Sequence, residues 1–431
     1  MKTKDLGLLE LVSISLGGMI GGGIFAILGI SVEMVGNLAP FAVALGGILA
    51  LMAGYSYAKL AAYYCDEGAT YSFFKKTFPR KTQAASIIGW IIIFGYISTL
   101  ALYAFTFSSY FTSFLHFSFP YIKEIIAGLI IFLFSIINII SVKGMGRIED
   151  FLVYIKVTLL VFISILLFKN GSVENLRPLV NTDFKIQTLF IVAAITFVSF
   201  EGFQLAIHAF EEAKNPKKSV PRAIYISICM AILIYIFLTV AALTCLPKEL
   251  LILEKEYALA AGATKHIGVI GHLVVIAGAL LATSSAISGT LFGASRLMAV
   301  ISRDGYLPAF LSYRKRGHIP HNAIIFMATT AFLFITLGEL ESILQFGSIT
   351  FILVSFIMAY SNFVIRKKTK SNSLVTVTSM VGLGSGAVLI LYYVYQTDKT
   401  QLVIIFSVYF ILGLGAMIFN MVRKKKQKLL N

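Results

Sequence analysis

Long apolar runs recur along almost the whole chain, each close to the length that one helix needs to cross a bilayer. About twelve are discernible, over residues 8–30, 38–60, 84–114, 121–141, 148–168, 186–210, 220–246, 267–300, 320–337, 342–365, 374–396 and 401–421. In hydrocarbon a backbone amide or carbonyl without a partner costs several kcal/mol, so spanning segments satisfy themselves as helices or as closed barrels. Runs of this length point to helices. The expected fold class is therefore an all-α polytopic membrane protein with about 12 transmembrane helices, forming one domain over residues 1–431.

Charge supports the same reading and excludes another. A formal net charge of +16 would suit a nucleic-acid partner by count alone. With 58% hydrophobic and only 13% charged residues, however, the basic groups cluster in short connections. Lys2 and Lys4 precede the first run, and Lys75, Lys76, Arg80 and Lys81 follow the second. Lys143 and Arg147, then Lys214, Lys217, Lys218 and Arg222, follow the fourth and sixth. Arg303, Arg314, Lys315 and Arg316, then Arg366, Lys367, Lys368 and Lys370, follow the eighth and tenth, and Arg423 to Lys426 and Lys428 close the chain. All of these fall on one side of an even-numbered bundle. The positive-inside rule then makes both termini cytoplasmic, in a multi-pass cell membrane protein with the lipid bilayer, and no nucleic acid, as surroundings. Met1 to Leu6 is too short and too polar for a cleavable signal, so the first run is expected to stay in the bundle.

The first run is interrupted. Gly17-Gly18-Met19-Ile20-Gly21-Gly22-Gly23 lies in its middle, and each glycine weakens a helix by about 1 kcal/mol relative to alanine. Close helix packing explains one or two glycines. Three in succession point in different directions around a helix, which favours a break whose freed amides and carbonyls face a binding cavity. The sixth run has a matching interruption at Ser199-Phe200-Glu201-Gly202-Phe203. The two runs are five apart, an odd offset, so two five-helix units would lie in opposite orientations. Inverted repeats with broken helices at matching positions point to the binding site of a secondary transporter. The expected organisation is a first repeat over 8–168, a second over 186–365, and two added helices over 374–421.

Two ionisable residues lie deep in these runs. A carboxylate at mid-membrane costs about 2.5–3.5 kcal/mol on insertion scales, so Glu201 either faces a cavity, binding a cationic group or moving a proton, or is a structural carboxyl paired with a polar neighbour or protonated by burial. Lys156, near the centre of Phe151 to Leu159, is too deep to reach either interface by snorkelling. Its ammonium serves as a mobile proton in a coupling step or in place of a bound Na⁺, or is held permanently by helix-end carbonyls. Thr283-Ser284-Ser285-Ala286-Ile287-Ser288-Gly289 in the eighth run has ordinary packing and hydrogen bonding as its default reading. Phe197, Phe200 and Phe203 surround the second break as candidate stacking or gating groups. Cys65, Cys229 and Cys245 form no CxxC motif and are expected as unpaired thiols. Six histidines show no H-E-x-x-H spacing, and His318 and His321 read as loop residues. Neither a nucleophile–base pair nor a metal-ligand set is present, so no enzyme activity, metal or cofactor is expected.

These stretches resemble the amino acid–polyamine–organocation transporters over nearly the whole chain. Gly17 to Phe25 resembles that family's first-helix motif. Phe200-Glu201-Gly202-Phe203, Glu211-Glu212-Ala213-Lys214-Asn215-Pro216 and Val220-Pro221-Arg222-Ala223 resemble its sixth helix and following loop. Leu291-Phe292-Gly293-Ala294-Ser295-Arg296 and Arg303-Asp304-Gly305-Tyr306-Leu307-Pro308 resemble the end of its eighth helix. The resemblance implies an amino acid substrate held between the broken helices. Its carboxylate would meet the amides of Gly21, Gly22 and Gly23, and its α-ammonium the carbonyls near Ile20, Phe197 and Phe200. It also aligns Lys156 with the fifth-helix lysine of sodium-independent, proton-coupled, broad-specificity prokaryotic members, which contacts the first helix, here near Gly17, and the eighth, here near Ser284. Glu201 departs from the apolar residue that many relatives carry, which opens cationic amino acids or polyamines as alternative cargo; a channel or a non-transporting sensor is the remote alternative.

Overall fold

The structure is a computed structural model that describes residues 6–115, 120–140, 142–179, 185–254, 257–314, 319–337 and 340–430. Lys2, Lys4, Lys315, Arg316 and His318, named above, lie outside them. The described residues form helices and turns, with one isolated parallel β-bridge between Leu6 and Ala213.

The first apolar run is split into α1 (Leu8–Met19) and α2 (Gly22–Val35), and a short 3-10 turn leads into α3 (Ala39–Tyr64). Next come α4 (Ala69–Thr77), α5 (Thr82–Leu115), α6 (Ile122–Ile140) and α7 (Val142–Asn170). The sixth run is α8 (Ile186–Thr196), a 3-10 turn over Phe197–Phe200, and the single turn α9 (Leu205–His208). It is followed by α10 (Pro216–Cys245), α11 (Lys248–Leu253), α12 (Ala258–Ile267) and α13 (Val269–Arg303). The chain ends with α14 (His321–Leu337), α15 (Leu340–Val364), α16 (Arg366–Thr369), α17 (Ser373–Thr397) and α18 (Lys399–Leu430).

Ten of these stretches are long and apolar enough to cross a membrane, with Gly22–Tyr64 counted as one, while Leu8–Met19 and His321–Leu337 are shorter apolar helices. The helices thus group into the twelve runs read from sequence. Local chemistry sets several ends. Pro40 and Pro216 stand in the first turns of α3 and α10, where a missing N–H removes nothing the helix needs. Asn372 caps α17 by accepting from the Leu374 amide at 2.8 Å.

Four elements differ from the sequence expectation. The connection after α3 contains α4, which buries Ala69 to Phe74 and leaves Lys75 and Lys76 at its end. The connection after α10 contains α11 and α12, too short to register as apolar runs. His321 opens α14 rather than lying in a loop. The three cysteines are free.

The sixth run lies at the centre: 94% of its apolar window is buried, against 17% for the last helix. Helices α1, α3, α7, α10 and α13 pack around the breaks, with α10 against both α3 and α1 and α13 against both α5 and α7. The exposed apolar side chains of α18, among them Val403, Phe406 and Phe410, belong to a surface made for lipid.

Candidate functional site

The first break is a two-residue interruption. Leu16 accepts the Ile20 amide at 2.8 Å, Met19 accepts the Gly21 amide at 2.9 Å, and α2 restarts at Gly22. Its glycines are needed for space. A Cβ on Gly21 would lie 2.5 Å from the Ala286 Cβ and 2.8 Å from the Tyr103 ring, and one on Gly22 would lie 2.6 Å from the Thr106 hydroxyl. The amides of Gly22 and Gly23 open α2 and have no acceptor within that helix.

The second break turns at Glu201, which leaves the 3-10 turn in an extended conformation, and at Gly202, whose φ of +130° is open to glycine and strained for other residues. A Cβ on Gly202 would sit 2.5 Å from both the Gly18 carbonyl carbon and the Met19 nitrogen. The two breaks therefore touch backbone to backbone. The Ser15 hydroxyl donates across this contact to the Phe203 carbonyl at 3.3 Å.

Unwinding frees four consecutive carbonyls, and each is met from outside α1. Lys156 Nζ, on α7, donates to Gly17 O at 2.9 Å and to Ile20 O at 2.8 Å. The Tyr103 hydroxyl, on α5, donates to Gly18 O at 3.0 Å. The Tyr235 hydroxyl, on α10, lies 2.7 Å from Met19 O and 2.9 Å from Ser199 O, spanning both breaks. Lys156 is fully buried, and its third partner is the Ser285 hydroxyl at 2.9 Å. The family resemblance points to the neighbourhood of Ser284 for that contact. Successive helical residues are rotated by about 100°, and it is Ser285 that α13 turns inward, while Ser284 is half-buried.

Of the other residues singled out from sequence, Ile20, Gly21, Gly22, Gly23, Phe197, Phe200 and Glu201 are all buried around the breaks. The Ile20 carbonyl receives Lys156, and the Gly21 amide is engaged by Met19. Phe200 packs on Tyr235 with ring centroids 5.1 Å apart, and Phe203 packs edge-on to Tyr57 at 5.4 Å. Glu201 is 2% exposed. Its Oε2 accepts from Gln204 Nε2 at 2.6 Å, while Oε1 has no hydrogen-bond partner among the described residues. Tyr57, Tyr96 and Tyr103 are within its electrostatic reach. Sequence reasoning missed Tyr103, Tyr235 and Gln204. No sequence signal separates the two tyrosines, because the stretches that hold them carry several other hydroxyl groups, each of which seeks a partner when buried.

On the side carrying the basic connections, the elements below the breaks are tied together. Leu6 and Ala213 pair through the Leu6 amide to Glu212 O at 3.1 Å and the Lys214 amide to Leu6 O at 2.7 Å. Asp304 accepts from Tyr71 at 2.9 Å and from Lys75 at 2.8 Å. Lys76 pairs with Asp66. Burial pushes the Asp66 carboxyl up, but the Lys76 ammonium and the Gly68 amide outweigh it and hold the group below the usual aspartate range. Among the described residues no three histidine, cysteine, aspartate or glutamate side chains converge as a metal site.

Two interrupted helices packed against each other at the centre of an all-helical membrane bundle are an arrangement found at the binding sites of membrane transporters. Residues 6–431 match the amino acid permease family, to which the chain belongs. Over 368 residues, 83% of each chain, it is 30% identical to the inner membrane transport protein YbaT of Escherichia coli. Over 388 residues, 85% of this chain and 81% of the relative, it is 25% identical to the branched-chain amino acid permease BcaP of Bacillus subtilis. It is also 29% identical to an uncharacterised protein of Methanocaldococcus jannaschii, over 99% of this chain and 97% of that one. The chain is a multi-pass membrane transporter of amino acids, not an enzyme.

Proposed function

We propose that the chain is a proton-coupled, sodium-independent amino acid importer working by alternating access. The observation that carries this reading is Lys156. Its ammonium occupies a point where Gly17 O, Ile20 O and Ser285 Oγ converge, a set of oxygens suited to a monovalent cation. In its protonated form Lys156 latches α1 to α7 and α13. Loss of the proton removes a donor and the positive charge, releasing the first break so that the cavity changes sides. The substrate carboxylate binds at the amino end of α2, where Gly21, Gly22 and Gly23 present amides toward which the helix dipole draws an anion. It displaces the Gly21–Met19 bond as it does so, and the carbonyls of Ile20, Phe197 and Phe200 take the α-ammonium. In this reading residues 8–168 and 186–365 are the inverted repeats, 374–421 are added helices, and both termini are cytoplasmic.

Uptake into proteoliposomes under imposed pH and sodium gradients tests this. Uptake is expected to follow the pH gradient, to ignore sodium, and to lose its pH dependence in Lys156→Ala. Sodium-driven uptake indifferent to the pH gradient would sink the coupling assignment, as would a Lys156→Ala variant that keeps full proton dependence.

A second reading concerns the cargo and rests on the unpartnered Glu201 Oε1. A buried carboxylate oxygen without a donor is an acceptor for an ammonium or guanidinium, so Glu201 selects cationic amino acids or polyamines. Lysine, arginine or putrescine should then compete with a bound amino acid in the unmodified chain and lose at least tenfold in Glu201→Gln. Failure of all three to compete in either form refutes it.

A further inference from the structure

The surface with the basic connections holds a cavity of about 230 Å³ unrelated to the central breaks. It lies where the start of α1 meets the entry to α10, and Gly7, Leu8, Lys214, Lys218, Ser219 and Arg222 line it. The Leu6–Ala213 bridge fixes its two walls against each other through the 3.1 Å and 2.7 Å backbone bonds. The Ser219 hydroxyl, with one hydrogen to share, lies 2.5 Å from Lys214 O and 3.0 Å from Asn215 O at its floor. Two backbone bonds and a serine hydroxyl thus hold the walls of the cavity in place.

Among the described residues its charge is unbalanced. Lys214, Lys218 and Arg222 bring three cations to one small space, and none of them makes an ion pair or a side-chain hydrogen bond among the described residues. Among the described residues the lining contains no carboxylate. Glu10, whose side chain lies beside Gly7, sets one negative charge against the three positive ones. Neighbouring basic side chains repel one another unless an anion sits between them, and a tetrahedral oxyanion accepts from lysine and arginine together.

A further observation separates this cavity from a solvent-facing basic patch. Below Arg222 on α10, Ile226, Met230 and Leu233 follow at helical spacing and are 40%, 36% and 68% exposed, forming an apolar stripe on one face. Leu9, on α1, is 68% exposed. A basic cavity at the head of an apolar stripe matches a phospholipid, with its phosphate at the cations and its acyl chains along the helix.

We propose that this cavity is a phosphate-binding site and that an anionic phospholipid headgroup supplies the phosphate. A bound headgroup bridges the start of α1 and the segment joining α9 to α10, reinforcing the tie made by the Leu6–Ala213 bridge. The site stands whether or not Lys156 carries the coupling, because its test measures no transport.

The experiment uses purified, delipidated full-length protein. Phosphatidylglycerol binding is followed by native mass spectrometry and by flotation with vesicles of phosphatidylcholine alone or mixed with phosphatidylglycerol, and inorganic phosphate is offered separately. Each basic side chain near an anionic surface is worth about fivefold in binding, so K218Q/R222Q should weaken phosphatidylglycerol binding about twentyfivefold. The charge-keeping K218R/R222K should retain it. K367Q/K368Q, which alters another basic connection, should leave it unchanged. If K218Q/R222Q fails to fold, Lys214→Gln alone is expected to cost about fivefold. The proposal is overturned if the neutral variants bind phosphatidylglycerol as the unmodified chain does, or if K367Q/K368Q weakens binding equally. Inorganic phosphate that binds at the same residues while phosphatidylglycerol does not would keep the phosphate site and overturn the lipid as its source.

Discussion

Replacing Gly202 by alanine probes the contact on which both breaks depend. The added Cβ would stand 2.5 Å from the backbone of Gly18 and Met19, where ordinary contact begins at 3.4 Å. The helices must therefore separate by about 1 Å. The Tyr235 hydroxyl spans this seam with contacts of 2.7 and 2.9 Å, and a parting of that size takes one or both beyond hydrogen-bonding range. Alanine at φ +130° adds strain of about 1–3 kcal/mol, and each lost hydrogen bond adds about 0.5–1.5 kcal/mol. The total, about 2–6 kcal/mol, is a large part of the stability of an ordinary domain. Melting in detergent and uptake in proteoliposomes should both fall sharply. Gly18→Ala is expected to be milder, because its nearest obstacle is the tip of Leu205 at 2.4 Å and the Gly202 backbone stands at 3.1 Å. Gly413→Ala, with nothing within 4 Å, should behave like the unmodified chain. The reasoning is refuted if Gly202→Ala melts and transports normally, or if Gly18→Ala is the more damaging change.

Two further outcomes can be checked alongside. Ser285→Ala removes a partner of Lys156 and should change the pH dependence of uptake, whereas Ser284→Ala should not; equal effects would contradict the contact geometry. Asp66 is held below its ordinary pKa when folded, so its contribution is complete above the unfolded value, about 3.9, and is lost as pH falls through the lower folded value. Asp66→Asn should cost about 0.2–1 kcal/mol near neutrality and flatten the acid side of a melting-temperature profile, and an unchanged acid limb would count against the Lys76 pairing.

Much of this architecture is legible in the sequence because bilayer physics leaves few alternatives. Apolar runs of fixed length give the helices, and the glycines at 17–23 with Glu201-Gly202 mark the interruptions. The depth of Lys156 in α7 identifies a residue that needs partners, and the structure supplies them in Gly17, Ile20 and Ser285. The choice of Ser285 over Ser284 was not legible, since a one-residue difference in facing depends on the rotation of α13 about its axis. Tyr103 and Tyr235 were hidden for another reason. A tyrosine in an apolar span reads as packing until the carbonyl it serves is known, and those carbonyls come from helices far away in sequence. Helices α4, α11 and α12 escaped because hydropathy detects what lies in lipid and overlooks short helices at its edge.

The Tyr235 hydroxyl has one hydrogen and faces two carbonyls, Met19 O and Ser199 O. At any instant one of them is short of a donor from this group. Met19 O also has the Gly21 amide, so the arrangement is lopsided: the first helix has a reserve, and the sixth relies on a shared proton. The protein is in that respect slightly frustrated at its centre. The seam between the two breaks is joined there by one hydrogen where two carbonyls could each accept one.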